Sequence, residues 1–451
     1  MTKRIFFFIS IILSAASFVS AANVLDIEGG NETSVGIYIK SLSTGKVIVN
    51  ENAEIALTPA SVTKTVTTAT ALNLLGPDFR FSTPVKLSGS RASSAKSTWQ
   101  GNLVIVASGD PTIESSDLKS NAGFTDSIIA GLKRLGINKI TGTVVIKENM
   151  PGAGPIAQWE VEDIAWPYGA GIHGFNYAGN CVKVFPNTAK TVPASNLEIE
   201  VKKSPENRTD MLRGVDSEKL IIWASQKNLQ NSRWSLNTTV PNPASVYSNL
   251  LKSKLREAGI EIANKPANAS ADGPMVYNHL SPALIDICRS LMKRSDNLFA
   301  EGVLRALLPG ESREKCLKKE ADFWTSQGLE AKYTKINDGS GLTRANRISP
   351  LFLGNMLEKM ANSQYSSQFI KCFPVSGVDG TLKSFLENTR LKGRLALKTG
   401  SVSGVQTYAG YRLDGEGRPT HVVVLMVNGF FCSRSALKKK TEAYLLNIFE
   451  N

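Results

Sequence analysis

Alternation of apolar and polar residues predicts a β-hairpin in the segment SVGIYIKSLSTGKVIVNENA, residues 34–53. The residue types alternate on both sides of Ser-Thr-Gly, which is typical of two strands joined by a tight turn. The next segment, TPASVTKTVTTATALNLLG at residues 58–76, has a different period. Its apolar positions recur at intervals of three and four: Val62, Val66, Ala69 and Leu72. This period predicts a helix, and the Gly-Pro pair that follows is a typical helix end.

A long middle part of the chain has another character. From about residue 81 to about residue 274 the chain contains short β-like runs separated by Ser, Asn, Gly and Pro. The clearest runs are NLVIVAS, ITGTVVIKE, NLEIEV and KLIIWAS. Helical patterns return near Ala283, Asn297 and Leu351, and three strand-like runs and a last helix end the chain. We therefore predict an α/β (α+β) fold in which a mixed unit is split by a large β-rich insertion.

The first residues, MTKRIFFFISIILSAASFVSAANVLD, have the composition of a secretory signal peptide. Lys3 and Arg4 precede an apolar run, and small residues follow it at the expected cleavage point, after Ala21 or Ala22. We predict a cleaved signal peptide at 1–21 and a periplasmic or otherwise exported mature protein. An uncleaved membrane anchor is the alternative.

Composition and charge narrow the class of protein. The 451 residues, 42% apolar and 20% charged, indicate a globular protein of more than one domain. The net charge is +13, and +11 remains once the two cations of the signal peptide are removed. A basic exported protein favours anionic surfaces such as phospholipid or acidic wall polymers, so peripheral association with membrane or wall is expected and nucleic acid is not.

The chemistry-bearing residues are few. Three histidines and no HExxH or Cys/His cluster argue against a zinc site. The chain has five cysteines: Cys181, Cys288, Cys316, Cys372 and Cys432. They allow at most two disulfides, so at least one thiol stays unpaired. The last helix has an apolar face that we expect to pack on a sheet, and Lys438, Lys439 and Lys440 form its solvated edge.

The predicted helix at residues 58–76 begins with Ser61 and Lys64, three residues apart. A serine at a helix start gains from the helix dipole, and at this spacing the lysine amine lies within reach of the hydroxyl. An amine acts as a general base only when it is neutral, which requires burial or a nearby cation. The uncharged run after Lys64 suits such burial. A capping serine followed by a surface lysine is the alternative.

Two further motifs favour the catalytic interpretation of Ser61 and Lys64. RSDNLFAE contains Ser295, Asp296 and Asn297, and LALKTGSVSG contains the triplet Lys-Thr-Gly at 398–400. S-x-x-K, S-x-N and K-T-G in this order resemble the signature of penicillin-binding proteins and serine β-lactamases. The long interval between Lys64 and Ser295 resembles that of the class C low-molecular-mass penicillin-binding proteins, the DacB-type D-alanyl-D-alanine carboxypeptidase/endopeptidases. Four more segments are similar to this family: LGPDFRFST, GNLVIVASGDPT, NDGSGLTRANRISP and FPVSGVDGTL.

The resemblance implies a role for each motif residue. Ser61 is the nucleophile, Lys64 its base, Ser295 a proton relay to the leaving amine, and Asn297 orients Lys64 and the substrate amide. The substrate-binding residues are those of the K-T-G strand: Lys398, Thr399, Gly400 and Ser401. Lys398 and Thr399 bind the terminal carboxylate, and the backbone N–H groups of Ser61 and Ser401 form the oxyanion hole. No metal or organic cofactor is implied.

Two other residues have two interpretations each. Asp110 follows a predicted strand in GDPT, where an aspartate before proline commonly forms a turn. The resemblance implies instead that Asp110 pairs with the free amine on the third residue of a stem peptide. By the same resemblance, Arg344 of GLTRAN is a partner for a nearby substrate carboxylate.

The same resemblance implies an organisation in three parts after the signal peptide. Residues 22–85 and 276–451 form a transpeptidase-like domain, and residues 86–275 form the β-rich insertion, with a smaller subdomain near 175–235. The implied function is cleavage of peptidoglycan stem peptides and cross-links through an acyl-enzyme that β-lactam antibiotics also form. A serine β-lactamase and a non-hydrolytic wall-binding or β-lactam-sensing protein are the alternatives.

Overall fold

The computed structural model describes residues 33–118, 123–265, 267, 273–330 and 334–450. The predicted signal peptide at 1–21 lies outside the described residues. Nowhere in these ranges is a helix both long and apolar enough to cross a membrane.

The described part contains nineteen strands and ten α-helices. The strands are β1 (Ser34–Ser41), β2 (Val47–Glu51), β3 (Ser82–Leu87), β4 (Ser90–Arg91), β5 (Thr98–Gln100), β6 (Leu103–Val106), β7 (Lys139–Ile140), β8 (Val144–Lys147), β9 (Cys181–Phe185), β10 (Lys190–Val192), β11 (Glu198–Lys203), β12 (Asp210–Arg213), β13 (Lys219–Ala224), β14 (Leu236–Thr239), β15 (Glu261–Ile262), β16 (Met275–Leu280), β17 (Leu395–Val402), β18 (Val405–Leu413) and β19 (Pro419–Asn428). The helices are α1 (Thr63–Leu75), α2 (Phe124–Arg134), α3 (Gln226–Gln230), α4 (Pro243–Glu257), α5 (Leu284–Arg294), α6 (Asn297–Ala306), α7 (Arg313–Ser326), α8 (Pro350–Ala361), α9 (Ser366–Ile370) and α10 (Arg434–Glu450).

A five-stranded antiparallel sheet joins the two ends of the described chain. Its strand order is β17-β18-β19-β1-β2, so the predicted N-terminal hairpin pairs with the three C-terminal strands. The register places Tyr38 opposite Val424. Because the hairpin, the helix after it and the C-terminal strands all formed where their patterns indicated, the predicted α/β class is confirmed.

The alternation along each strand of this sheet divides its side chains between two cores. On one face, Tyr38, Tyr411 and Val424 pack with the buried residues of α1, α5, α6 and α8. On the other face, Ile39 and Leu425 pack with the last helix, α10, as predicted from its apolar positions. The sheet is therefore covered by helices on both faces, and α1 is buried on all sides from Thr63 to Leu72.

The strands of the other four sheets lie between residues 82 and 280. All four clear β-like runs of the insertion are strands, and they form two parallel pairs, β6 with β8 and β11 with β13. The predicted boundaries at 85/86 and 275/276 fall inside β3 and β16, which pair with each other. The insertion also contains two long helices, α2 and α4, that the sequence analysis did not predict.

Candidate active site

Ser61 lies in a tight 3-10 turn, Ala60–Val62, immediately before α1. The helix is capped by Val62 without a side-chain hydrogen bond, so Ser61 is not the cap that its position in the sequence suggested. Ala60 has a φ of 48°, an uncommon conformation for a residue with a side chain. The turn leaves Ser61 partly exposed, and its hydroxyl is free of any capping role.

The Lys64 amine is completely buried and donates a hydrogen bond to the Ser61 hydroxyl. Its Nζ is 3.0 Å from Ser61 Oγ, 2.6 Å from Asn297 Oδ1 and 2.5 Å from the carbonyl oxygen of Ser340. These three acceptors surround the amine and hold it in place. The spacing prediction that joined Ser61 to Lys64 is therefore met in the structure, and the surface-lysine alternative is wrong.

Burial lowers the pKa of the Lys64 amine to about 8, although the carboxylates of Asp338, Asp296 and Glu301 act in the opposite direction. A second buried amine lies nearby. Burial, and then the charge of Lys64, hold the pKa of Lys398 well below its usual range. Because repulsion between two cations is mutual, protonation of one amine opposes protonation of the other. With a pKa of about 8, roughly a tenth of Lys64 is neutral at pH 7 and about half at pH 8.

The S-D-N motif forms the junction between α5 and α6. Ser295 ends α5 in the left-handed conformation, with φ 63° and ψ 36°. Asp296 caps α6 by accepting the N–H of Phe299 at 2.8 Å, and burial raises its pKa. Asn297 begins α6, and its Nδ2 donates to the carbonyl of Tyr168 at 2.7 Å. The junction thus points the amide of Asn297 at Lys64 and fixes the side chain from both ends.

The K-T-G motif lies on β17, an edge strand of the five-stranded sheet. Lys398 Nζ donates to Ser295 Oγ at 3.0 Å, which joins the second motif to the third. The hydroxyl of Thr399 is 2.8 Å from that of Thr381. Ser401 follows with an exposed side chain. Polar contacts therefore join the first motif to the second through Lys64 and Asn297, and the second to the third through Ser295 and Lys398.

Gly400 occupies a position where a side chain does not fit. A Cβ added there would be 2.2 Å from Thr407 Oγ1, 2.6 Å from the carbonyl oxygen of Pro59 and 2.9 Å from the amide nitrogen of Ser61. Thr407 also donates to the Pro59 carbonyl at 2.7 Å. The absence of a side chain is what allows β17 to lie against the turn that carries Ser61.

A loop at 337–346 provides contacts that the sequence analysis missed. The carboxylate of Asp338 is fully buried and accepts five hydrogen bonds. Four come from groups of this loop and the fifth from the indole N–H of Trp159. This network presents the Ser340 carbonyl to Lys64. The N–H of Ser340 in turn donates to Glu301 at 2.9 Å. The available signal was Glu301 itself, an acidic residue within the apolar run NLFAEGVLRALL.

Asp110 and Arg344 lie in different surroundings. Asp110 is 1% exposed, and its Oδ1 accepts the N–H and the hydroxyl of Thr112 at 2.8 and 2.6 Å. Its other oxygen is 3.4 Å from His279 Nε2. This placement favours the turn interpretation, and a contact with a substrate amine stays a prediction. Arg344 is half-exposed and donates to the carbonyl of Ser403 at 3.0 Å, beside the turn that follows β17.

The arrangement has the parts that acyl transfer requires. It combines a partly exposed hydroxyl, an amine of lowered pKa in contact with it, and a second buried amine beside a second hydroxyl. A cavity of about 530 Å³ lies next to it, lined in part by Tyr168, Ser295, Asn297 and Thr381. In the ranges that the structure describes, no group of three or more His, Cys, Asp or Glu side chains is placed to hold a metal ion. All five cysteines are free thiols.

Comparison with known proteins finds relatives that align with almost the whole chain. The chain is 26% identical to the D-alanyl-D-alanine carboxypeptidase DacB of Haemophilus influenzae, over 98% of this chain and 95% of that protein. It is 24% identical to a D-alanyl-D-alanine carboxypeptidase of Actinomadura sp., over 86% of this chain and 77% of that protein.

The crystal structure of penicillin binding protein 4 (dacB) from Haemophilus influenzae has a TM-score of 0.78 at 24% identity, covering 92% of this chain and 96% of that one. The likeness confirms the predicted fold class. The sequence profile of the D-Ala-D-Ala carboxypeptidase 3 (S13) family matches residues 21–447. With its three motifs in contact and a family profile that spans nearly its whole length, this chain belongs to the D-Ala-D-Ala carboxypeptidase 3 (S13) family.

Proposed function

We propose that this protein is a serine-type D-Ala-D-Ala carboxypeptidase/endopeptidase that cleaves peptidoglycan stem peptides and cross-links through an acyl-enzyme on Ser61. The observation that carries the proposal is the contact between the Ser61 hydroxyl and the buried Lys64 amine, whose pKa is about 8. A base with this pKa accepts a proton near neutral pH. The relatives named D-alanyl-D-alanine carboxypeptidases support the choice of substrate.

Acylation begins with attack of Ser61 Oγ on the carbonyl carbon between the last two D-alanines. Lys64 takes the hydroxyl proton as the new C–O bond forms. The C–N bond then breaks, and the leaving amine receives a proton through Ser295, whose hydroxyl contacts Lys398. Asn297 holds Lys64 with its amide oxygen and orients the substrate amide. The leaving group is D-alanine, or the acceptor strand of a cross-link, and the acyl group stays on Ser61 as an ester.

Two negative groups have partners in the site: the carboxylate that the substrate already carries and the oxyanion that forms during attack. Lys398 and Thr399 bind the terminal carboxylate of the substrate. The backbone N–H groups of Ser61 and Ser401 stabilise the oxyanion, and the close approach of Gly400 to the Ser61 amide nitrogen supports this assignment. Arg344 would pair with a nearby substrate carboxylate, and its contact with Ser403 beside the turn after β17 supports this role.

Water then hydrolyses the acyl-enzyme and regenerates Ser61. Penicillin resembles the terminal dipeptide and acylates the same oxygen, which yields a long-lived adduct. The H. influenzae protein of the same fold has been crystallised complexed with a β-lactam, and its structure matches this chain with a TM-score of 0.73. That protein supports the proposal that β-lactams bind here.

The cellular setting and the domain division belong to the proposal as well. A cleaved signal at 1–21 would export the protein to the periplasm, where peptidoglycan is found, and the charge of the mature chain would favour anionic surfaces. The transpeptidase-like domain, 22–85 with 276–451, would carry the chemistry. The insertion, 86–275, with its subdomain near 175–235, would flank the site, since Tyr168 contacts Asn297.

The deciding experiment combines two assays on the mature protein. Labelling with a fluorescent penicillin is expected to give a stable adduct that Ser61→Ala abolishes, together with release of D-alanine from a stem pentapeptide. Ser403→Ala, an exposed serine close to the site, is the matched control and should label normally. Rapid loss of the adduct without release of D-alanine would identify a β-lactamase. A folded protein that releases no D-alanine, and either keeps a stable adduct or forms none, would favour the non-hydrolytic wall-binding or β-lactam-sensing alternative.

A further inference from the structure

Glu301 shares a face of α6 with Asn297, because the two residues are four positions apart on the helix. Both side chains reach the surroundings of the Lys64 amine by different routes. Asn297 accepts a hydrogen bond from the amine itself at 2.6 Å. Glu301 accepts the N–H of Ser340 at 2.9 Å, and the carbonyl of that same residue accepts from Lys64 at 2.5 Å.

The Ser340 backbone therefore connects the carboxylate to the base. The side-chain hydroxyl of Ser340 donates to Asp338 at 3.2 Å, and the N–H of the next residue, Gly341, donates to the same carboxylate at 2.8 Å. The loop is thus held at several points around one carbonyl oxygen. Glu301 is the anchor that lies on the helix of the catalytic asparagine, so it relates the loop to α6.

The Glu301 carboxylate is 0% exposed and faces several charged groups. These are Arg313 on α7, with Nε 3.7 Å from Oε2, Asp338 on the loop, Lys64 on α1, Glu320 on α7 and Arg305 on its own helix. Burial, and then Asp338, raise the pKa of Glu301 to about 7, against the effect of Arg313. Its charge state therefore changes near the pH at which Lys64 gives up its proton.

We propose that Glu301 is a positioning residue for the acylation base: it holds the Ser340 carbonyl on the Lys64 amine, and its negative charge favours the protonated form of that amine. This inference rests on the proposed function, because acylation of Ser61 is its main readout. The carboxylate touches neither the nucleophile nor the place where the substrate carbonyl must lie. Its effect passes through Ser340 and through the electric field at Lys64.

The two parts of this role are separated by two substitutions. Glu301→Gln keeps the size and an amide oxygen that can accept the Ser340 N–H, but it removes the charge. The pKa of Lys64 should then fall, and the acidic limb of the acylation rate should move to lower pH by about one unit. Glu301→Ala removes the acceptor as well, and we expect acylation at high pH to fall about tenfold while non-covalent binding of penicillin stays unchanged.

Asp322→Asn on α7 is the control. Asp322 is an exposed acid paired with Lys318 at 2.8 Å, and it is not among the groups whose charge acts on Lys64 or Glu301. This variant should keep the wild-type pH profile. An unchanged midpoint in folded Glu301→Gln would overturn the proposal, as would an equal loss of rate in both Glu301 variants without any shift.

A second measurement is independent of acylation. The carbon-13 signal of the Lys64 ε-carbon, assigned by comparison with Lys64→Arg, reports the pKa of the amine in wild type and in Glu301→Gln. A lower pKa in the variant supports the proposal even if the wild type forms no penicillin adduct, an outcome that would reject the proposed function alone. Equal pKa values in the two proteins reject the role of Glu301.

Discussion

At the scale of single residues, Lys64 shows how burial changes the reactivity of one side chain. Its amine has three acceptors and no exposed surface, and its pKa is about 8. Since only the neutral amine accepts a proton, acylation should rise with pH through this value and level off above it. The midpoint of this pH dependence is obtained from the rate of penicillin acylation between pH 6 and pH 10, under conditions in which the protein stays folded.

Lys64→Arg should lose acylation by about two to four orders of magnitude at every pH, because a guanidinium stays protonated and cannot act as a base. The measurement is the second-order rate of labelling by fluorescent penicillin. Lys40→Arg, on β1 and paired with Glu358 at 2.7 Å, is a control of the same residue change away from the site. A Lys64→Arg variant of near-normal rate would show that another group accepts the Ser61 proton.

At the scale of elements, the site depends on how closely β17 approaches the turn before α1. Gly400→Ala should displace one of these two segments, since the new Cβ would lie 2.6 Å from the Pro59 carbonyl and 2.9 Å from the Ser61 nitrogen. We expect a loss of acylation of at least about tenfold and about 1–3 kcal/mol of stability. Gly415→Ala is the control, because its nearest neighbour is the end of the Arg394 side chain at 3.4 Å. Normal labelling of Gly400→Ala would mean that the two segments separate without cost.

The turn after β6 tests the two interpretations of Asp110. Because this carboxylate is buried and bonded to Thr112, we expect Asp110→Ala to lower the free energy of unfolding by about 1–3 kcal/mol. Asp110→Asn retains an acceptor and should leave the ratio of stem-peptide cleavage to penicillin acylation unchanged. A selective loss of cleavage for peptides that carry the third-residue amine would instead support the substrate contact.

At the scale of the whole molecule, the acids buried between α6, α7 and the 337–346 loop link stability to pH. Burial raises the pKa of Glu320 to about 8, well above its value in an unfolded chain, and the shift of Glu301 has the same direction. Across this window the folded state keeps protons that the unfolded state releases. The contribution of these groups to stability is therefore complete at acidic pH and is lost as the pH rises towards 8.

Glu320→Gln should remove part of that dependence. We expect the variant to be more stable than wild type above pH 8 by about 1–3 kcal/mol, and to differ little near pH 4.5, in urea unfolding followed by circular dichroism. Asp322→Asn, on the exposed side of the same helix, is the control and should parallel the wild type at each pH. Parallel stability curves for wild type and Glu320→Gln would show that this acid is ionised in the folded protein.

Much of the fold followed from local pattern. The alternation at residues 34–53 became β1 and β2, and the period of three and four after Ser61 became α1, which ends at Gly76 as predicted. The helices α2, α4 and α7 were missed, because their apolar positions lie among many polar and charged residues. The composition of such segments resembles that of a loop. Packing against a sheet stabilises α2 and α4, and packing against the helices α1 and α6 stabilises α7.

The sequence by itself determined the residue types of the site, their order along the chain and the one-turn spacing of Ser61 and Lys64. It could do so because a helical spacing depends only on neighbouring residues. The tertiary structure alone decided that Lys64 meets Ser340, that Glu301 lies behind it, that Asp110 is buried and that residue 400 has no room for a side chain. Each of these facts is a contact or a burial created where distant segments pack together. Because burial and nearby charge set the pKa of Lys64, the reactivity of the site belongs to the folded molecule.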